Sequence, residues 1–402
     1  MATTTNKFFG QLEGDKAIWL VVALLSLLSL LAIYSATGTL AFRVRGGDTE
    51  YYLFKRFFYL MGGLGIMYIC YKIPYTRYSK MAPAAIVLSI GLLLLTLMFG
   101  VTYNGATRWL EVPILGITFQ TSDLAKVTLI AYIARTISAK QDCIKDFNSA
   151  FLPILAPVLI VCGLIAPADL SSAVLLFTTC MVMMFVGRVD IKYIGLLILF
   201  AIVLFAFLVI LGEFFPEVVR VETWVSRIKD FFINTEGAEQ IQRAKMAIAD
   251  GGWLGVGPGN SVHRNFLPHA YSDVIYAFFI EEYGLVGGLG LIVLYFTLLM
   301  RGVSLVTRSP KAFGAMLVLG LCLSMVLQAF FGMAVSVHLV PVTGLPLPMM
   351  SMGGTSLLFS CIMFGMILSV SRYVERMEKK PKRKKKEEVS ESVNPDAPVL
   401  TT

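Results

Sequence analysis

Charge is the first scarcity in this chain. Of 402 residues, 15% are Asp, Glu, Lys or Arg and 57% are hydrophobic, with a mean hydropathy of +0.75. A water-facing domain carries about 25% charged residues. Length alone would allow two such domains, but little polar sequence remains to build either. Histidine is scarcer still, and His263, His269 and His338 are too scattered for a metal site. The six cysteines (Cys70, Cys143, Cys162, Cys180, Cys322, Cys361) show no metal-ligand spacing and no dense disulfide framework. Most sit in apolar runs and read as small buried apolar residues. No repeat of fixed period is present. No basic region leads the first apolar run, which follows Glu13 and Asp15, so no cleavable signal is expected and the run is long enough to span.

What is abundant is long apolar stretches. Candidate transmembrane helices of about 17–25 residues fall near 17–38, 56–73, 80–100, 121–138, 150–166, 170–187, 191–212, 274–299, 312–338 and 353–373. The expected architecture is therefore an all-α integral membrane protein with about ten transmembrane helices. Lys and Arg in the short loops favour both termini in the cytoplasm. A large extracytoplasmic loop, 213–273, then separates helices 7 and 8. A loop of that length is usually functional, and its mixed charged and apolar stretches, Arg220–Phe232 and Glu236–Ala249, have the pattern of helices lying along an interface. Residues 1–16 form a cytoplasmic N-terminus, 17–373 the membrane domain and 374–402 a basic, disordered cytoplasmic tail. The net charge of +8 calls for no nucleic acid: much of it lies in Lys379–Lys386, KKPKRKKK, which suits the anionic inner leaflet.

The most telling stretch is Gly251 to Gly284, which holds glycines, two histidines, Arg264 and the carboxylates of Asp273, Glu281 and Glu282 between apolar runs. Charge at a membrane edge is costly and is retained for catalysis, transport or ion pairing. Asp273 stands where the outer loop becomes the eighth span. Desolvation there can raise its pKa toward that of a general base; alternatively, with Ser272, it caps the helix or pairs with a cation. Glu281 lies deeper and needs a proton or a partner, such as a basic residue on another span. Gln120, Asp123 and Lys126 form one stripe of the fourth span. Lys126 can offset Asp123 at i,i+3, bind a diphosphate, or meet Glu281. Arg108, in an outer loop beside Trp109, can fork onto phosphate oxygens. Asp169, after Pro167, can cap the sixth span. Gly255-Val256-Gly257-Pro258-Gly259-Asn260 is no nucleotide loop, since no strand precedes it and no Lys-Ser/Thr follows; it reads as a tight turn bringing backbone close to a ligand or another helix. Pro341–Pro348 cannot continue a helix and must be buried in protein or line a cavity. The hydroxyls that follow it, among them Ser351 and Thr355, can face a substrate.

GATRWL, QTSDLAK, PADLSSA, GGWLGVGPGNSV…FLPHAYSDVIYAFFIEEYGLVG and PVTGLPLPMMSMGGTS together resemble the SEDS family of cell-wall polymerases, the FtsW/RodA group, across about 17–373. GPGNSV leans toward its division branch. Asp123 stands where that family usually has Glu, and Tyr271-Ser272-Asp273-Val274 where it has His-Thr-Asp-Phe. The resemblance implies a peptidoglycan glycosyltransferase that polymerises lipid II by inverting transfer during septum synthesis. It places the essential acid at Asp273. The diphosphate clamp falls to some of Arg108, Lys126, Arg243 and Arg264, with Asp123, Asp169, Glu281, Ser351 and Thr355 in the substrate site. It allows a divalent cation, magnesium or manganese, whose identity the residues leave open. It also implies a class B penicillin-binding protein transpeptidase and other division proteins as partners, and the bacterial inner membrane as location, with the active site on the outer face. Two other readings are a lipid II flippase and a non-catalytic division scaffold. Inverted-repeat symmetry would favour transport, and none is evident.

Overall fold

The computed structural model describes residues 13–36, 49–103, 106–112, 117–214, 221–233, 239–263, 274–351 and 353–393. Helices dominate: α1 Lys16–Ala36, α2 Thr49–Lys72, α3 Tyr75–Phe99, α4 Thr121–Ala139, α5 Leu152–Ile165, α6 Leu170–Val186, α7 Ile191–Phe214, α8 Val221–Phe232, α9 Glu239–Gly251, α10 Ile275–Arg308, α11 Ala312–Ser336 and α12 Gly354–Val393. Among the described residues, seven helices (α1, α2, α3, α7, α10, α11 and α12) are long and apolar enough to cross a membrane, and α5 and α6 are shorter apolar helices. The polar α4 is mostly buried, packed against α3 and α11, so its Asp123 and Lys126 face protein. The mixed pattern of residues 213–273 yields α8 and α9, close to where periodicity places helices.

The all-α expectation needs one correction. Between α3 and α4 the chain forms a three-stranded antiparallel sheet, β1 Val101–Tyr103, β2 Ala106–Val112 and β3 Ile117–Gln120, in the order β1-β2-β3. Thr, Tyr, Trp, Val and Ile supply the strand preference. The segments are too short to stand out between long apolar runs. Trp109 pairs with Gln120 across β2 and β3, and Gln120 is also the N-cap of α4. The sheet therefore fixes Arg108 relative to the start of α4.

α10 is broken. At Gly284 the backbone takes φ 70°, ψ −178°, which frees carbonyls before the break and amides after it. The glycine turn of 252–257 takes up both sets. Val256 N and Gly257 N donate to Glu281 O and Glu282 O at 2.9 and 3.1 Å, and Leu285 N and Val286 N donate to Gly252 O and Trp253 O at 2.9 and 3.3 Å. The turn is thus a close approach to another helix. A Cβ on Gly255 would lie 2.2 Å from Glu282 O, and one on Gly284 2.2 Å from Trp253 O. Both glycines also sit at positive φ, 81° and 70°, where other residues are strained.

A second interruption, 337–353, joins α11 to α12. Prolines there leave carbonyls that no helix can satisfy, and three side chains from elsewhere reach them: Gln328 Nε2 donates to Pro346 O at 2.7 Å, Tyr295 Oη to Pro348 O at 2.5 Å, and Arg56 Nη2 to Met349 O at 2.6 Å. Arg56 is only 4% exposed and also donates to Ser29 Oγ at 2.5 Å, so it ties α1 and α2 to this segment. Met349 holds φ 67°, an unusual state for a residue with a side chain.

At the end of the bundle remote from the sheet, the start of the chain is stapled to its last helix. Glu13 pairs with Arg376 at 2.6 Å and Asp15 with Arg301 at 2.5 Å. Asp15 N donates to Ser371 Oγ at 2.7 Å, and Gly14 N donates to the Glu375 carboxylate. α12 continues past the apolar run into the basic tail as far as Val393. An i,i+4 ion pair, Glu375–Lys379 at 2.6 Å, supports the helix where it leaves the bundle.

Gly284→Ala should lower the stability of the detergent-solubilised protein by about 2 kcal/mol or more, from positive-φ strain plus the backbone clash. Thermal midpoints from fluorescence-detected size exclusion check this. Gly290→Ala on the same helix, where no atom lies within 4 Å of a built Cβ, should be near neutral.

Candidate functional site

Arg108 and Asp169 meet. Arg108 reaches from β2 to the α5–α6 turn, where Nη1 lies 3.2 Å from Asp169 Oδ2 and Nε donates to Ala168 O at 2.7 Å. Asp169 caps α6 at the same time: Ser172 N donates to its Oδ1 at 3.1 Å and Ser172 Oγ to its Oδ2 at 2.7 Å. One carboxylate therefore ends a helix and fixes a guanidinium. The Arg108 side chain keeps 20% exposure against 6% for Asp169, and both line the adjoining cavity.

That cavity, of about 280 Å³, is walled by Arg108, Asp169, Trp224, Arg227, Phe331 and Thr343 among others. It draws on the sheet, α6, α8, α11 and the proline segment. A second cavity of about 280 Å³, almost wholly apolar, runs between α5, α6 and α7 past Phe177, Ile198 and Phe205. The two share Leu170 and Val174. The first has an ion pair in its wall, and its neighbour is almost wholly apolar. On the other side of the Arg108–Asp169 pair a small space of about 20 Å³ is lined by Thr121 and Ser122, the first turn of α4.

Lys126 and Asp123 form a buried i,i+3 pair, Nζ to Oδ1 at 3.0 Å, with side chains 8% and 9% exposed. Asp123 Oδ2 is buried with no hydrogen-bond partner among the described residues. Lys126 thus meets Asp123, and the partners of Glu281 lie elsewhere. Ser261 Oγ donates to Glu281 Oε2 at 2.5 Å and Val262 N to its Oε1 at 2.9 Å. These donors are a hydroxyl and an amide of the segment between α9 and α10. The carboxylate so anchors the chain just before residues 264–273, and Ser35 of α1 bonds the neighbouring Glu282 carboxylate. His263 Nε2 adds a contact to Asp250 Oδ2 of α9 at 2.7 Å.

Asp273 and Arg264 lie outside the described residues. The N-cap of α10 is Val274, which makes no side-chain cap. Arg243 is a half-buried residue of α9, a helix packed against the first turns of α10. Ser351 Oγ accepts from Leu347 N at 2.9 Å and closes the proline segment. Thr355 Oγ1 is buried without a hydrogen-bond partner among the described residues. At the end of α11, desolvation and then the Lys245 ammonium lower the pKa of His338 from its usual value, so its ring is neutral at pH 7. No group of three His, Cys, Asp or Glu among the described residues could hold a metal ion. Asp123 Oδ2 is a single spare oxygen, so these donors do not fit a resident divalent cation.

Sequence reasoning missed Arg56 and Arg227. Both lie among apolar residues, and their partners, Met349 and Thr343, are 293 and 116 residues away. The only local signal for Arg227 was the amphipathic pattern of α8.

Seven helices long and apolar enough to cross a membrane, packed around a cavity with an ion pair in its wall, define a polytopic membrane protein. The chain belongs to the FtsW/RodA/SpoVE family, described as cell cycle protein, whose model matches residues 15–376. Relatives named "Probable peptidoglycan glycosyltransferase FtsW" include one from Geobacter sulfurreducens, 30% identical over 89% of this chain and 95% of the relative. Another, from Alkalilimnicola ehrlichii, is 32% identical over 94% of each. Among solved structures, a chain of a peptidoglycan synthase complex that coordinates polymerisation and crosslinking shares the fold, with TM-score 0.69, 23% identity, and 90% of this chain and 98% of that one covered. RodA of Thermus thermophilus does so with TM-score 0.65, 23% identity and the same coverage.

Removing one member of a buried ion pair costs about 3–5 kcal/mol. Lys126→Ala should therefore destabilise strongly, and adding Asp123→Asn should recover most of the loss. Melting of the two variants in detergent checks this.

Proposed function

We propose that this protein polymerises peptidoglycan glycan strands from lipid II during septum synthesis, by inverting glycosyl transfer. The observation that carries the reading is the neighbouring position of the Arg108–Asp169 cavity and the apolar groove of α5–α7, which share Leu170 and Val174 in their walls. An undecaprenyl diphosphate-linked sugar has that form, a polyanionic head on a long apolar tail. The family named above and the relatives that carry the glycosyltransferase name support the same substrate class.

In this reading residues 17–373 form a membrane domain of ten spans, with α4, α5 and α6 added to the seven long apolar helices. Residues 1–16 and 374–402 lie in the cytoplasm, and the 213–273 loop lies on the outer face of the bacterial inner membrane. That orientation puts the sheet, α8, α9 and the charged cavity on the side where lipid II presents its sugars.

Lipid II is α-linked at its diphosphate and the bond formed is β, so the anomeric carbon inverts in one displacement. The acceptor 4-hydroxyl oxygen attacks C1, its proton passes to the Asp273 carboxylate, and the C1–oxygen bond to the diphosphate breaks with its electron pair leaving on the diphosphate. General-base help supplies about 10²–10⁴-fold. Stabilising the departing charge is the larger contribution, and it falls to Arg108, Lys126, Arg243 and Arg264. Arg108 is prealigned by Asp169 and Ala168 O. Lys126, held by one oxygen of Asp123, can exchange that contact for a phosphate. Glu281 acts through the chain, by fixing Ser261 and Val262 ahead of the segment that carries Asp273. Thr355 and Ser351 border the proline segment of the same site. A divalent cation, magnesium or manganese, would enter with the diphosphate; no step depends on it. A class B penicillin-binding protein is the partner that crosslinks the product, together with other division proteins. One structural neighbour belongs to a complex that joins those two activities.

Asp273→Asn should keep expression and lipid II binding and abolish glycan polymer in a reconstituted assay, with or without a transpeptidase. Full-length polymer from that variant would reject the base assignment. Lipid II translocation by a wild-type protein that makes no polymer would instead favour a transporter.

A further inference from the structure

The staple that fastens the start of the chain to α10 and α12 borders a cavity of about 480 Å³, larger than either 280 Å³ cavity described above. We propose that this cavity binds the phosphodiester headgroup of one anionic phospholipid. The proposal does not depend on the polymerase reading; it needs only that α1, α10 and α12 cross a membrane.

The cavity lies at the level of lipid phosphates. The apolar spans run Lys16–Ser35, Ile275–Arg308 and Gly354–Lys379, and the wall is built from the terminal turns of all three. On α1, Lys16 heads a stripe of exposed apolar residues, Leu20, Leu27 and Leu31, at i+4, i+11 and i+15 from it. A lipid seated by its headgroup can lay an acyl chain along that stripe. A soluble anion gains nothing from it.

The charge suits one phosphodiester. Lys16, Arg301, Arg308 and Lys379 line the cavity against three carboxylates, an excess of one positive charge. A phosphodiester carries one negative charge, whereas a phosphocholine headgroup is neutral as a whole.

Donors remain unused after the ion pairs are made. Arg301 sends Nε and Nη2 to Asp15 Oδ2, at 2.8 and 2.5 Å. Arg308 sends the same edge to the Glu378 carboxylate, at 2.8 and 2.6 Å. Neither Nη1 group makes a hydrogen bond among the described residues, and the two side chains keep 39% and 42% exposure. Lys16 is exposed and makes no hydrogen bond or ion pair among the described residues. It is within electrostatic reach of Glu375, which already holds Lys379 at 2.6 Å and accepts from Gly14 N. Arg308 feels Asp15 and Glu375 as well as Glu378, so these charges share one space. Charge-assisted bonds from Lys16 Nζ and the free guanidinium edges can hold a phosphate with the ion pairs intact. Such a phosphate bridges α1 to α10 and tightens the staple.

The test titrates delipidated full-length protein in detergent and counts bound molecules by native mass spectrometry. The probes are dioctanoyl phosphatidylglycerol, dioctanoyl phosphatidylcholine and glycerophosphoglycerol, the first headgroup without its chains. Phosphatidylglycerol should bind more tightly than either of the others. Lys16→Gln combined with Arg308→Gln should weaken its tightest binding about tenfold or more. Arg376→Gln removes a charge at the same end but outside the cavity wall, and should leave that affinity unchanged. A double variant with wild-type affinity overturns the proposal. So does an equal loss in Arg376→Gln, which marks a diffuse attraction to the basic end. Phosphatidylcholine binding as tightly overturns the charge argument, and glycerophosphoglycerol binding as tightly makes the ligand a soluble anion; either rejects the lipid site, as does a wild type that binds no probe. If the double variant melts earlier than the wild type in lipid-free detergent, Lys16→Gln alone decides: a several-fold loss supports the site and wild-type affinity overturns it. None of these outcomes bears on the glycan assay, so the two readings fail separately.

Discussion

The structure depends on satisfying backbone polar groups where water is scarce. Within lipid, helices and closed barrels do this unaided, and among the described residues this chain repairs the interruptions at Gly284 and in the proline segment with donors and acceptors from other segments. At Gly284 the repair is backbone to backbone, from the 252–257 turn. In the proline segment it is side chain to backbone, from Gln328, Tyr295 and Arg56. Both repairs draw on groups packed within the bundle. They hold two irregular stretches in one arrangement, and those stretches supply what straight helices cannot: a wall for the charged cavity and a fixed entry into α10.

The charged residues follow the same economy, each serving more than one purpose. Asp169 ends a helix and aligns Arg108. Glu281 accepts a hydroxyl and an amide and thereby holds Ser261 and Val262 against α10. Asp123 and Lys126 neutralise one another in the interior of α4. These polar residues are thus embedded in the protein, and the cavity beside them is walled by Arg108, Asp169 and Arg227.

Hydropathy made the helices legible. Each apolar run predicted from the sequence has a helix on it, because water-lipid partitioning is read off composition over about 20 residues. α8 and α9 were visible through the mixed periodicity of Arg220–Phe232 and Glu236–Ala249. The glycine turn was readable as a close approach, since no other residue tolerates those contacts. The sheet was not legible: strands of 3, 7 and 4 residues carry too little alternation beside spans many times longer. Nor was the break at Gly284, as a glycine in an apolar helix leaves hydropathy unchanged. Pairing of Asp123 with Lys126, and capping by Asp169, are local and were among the alternatives the spacing offered. Partners of Glu281, Arg56 and Arg227 are set by the packing of distant segments, which no local pattern records.

The ionic staple at the end remote from the sheet bears on how the protein is made. Its contacts join residues 286 and 363 positions apart, Asp15 to Arg301 and Glu13 to Arg376. The first helix therefore emerges from the ribosome and enters the bilayer long before its fastening exists. During most of synthesis Asp15 must stay hydrated at the membrane edge, since its buried resting place is built by α10 and α12. Closure of the staple is consequently a late event in biogenesis. A chain that ends before Arg301 would lack every one of these contacts and keep its leading end unfastened.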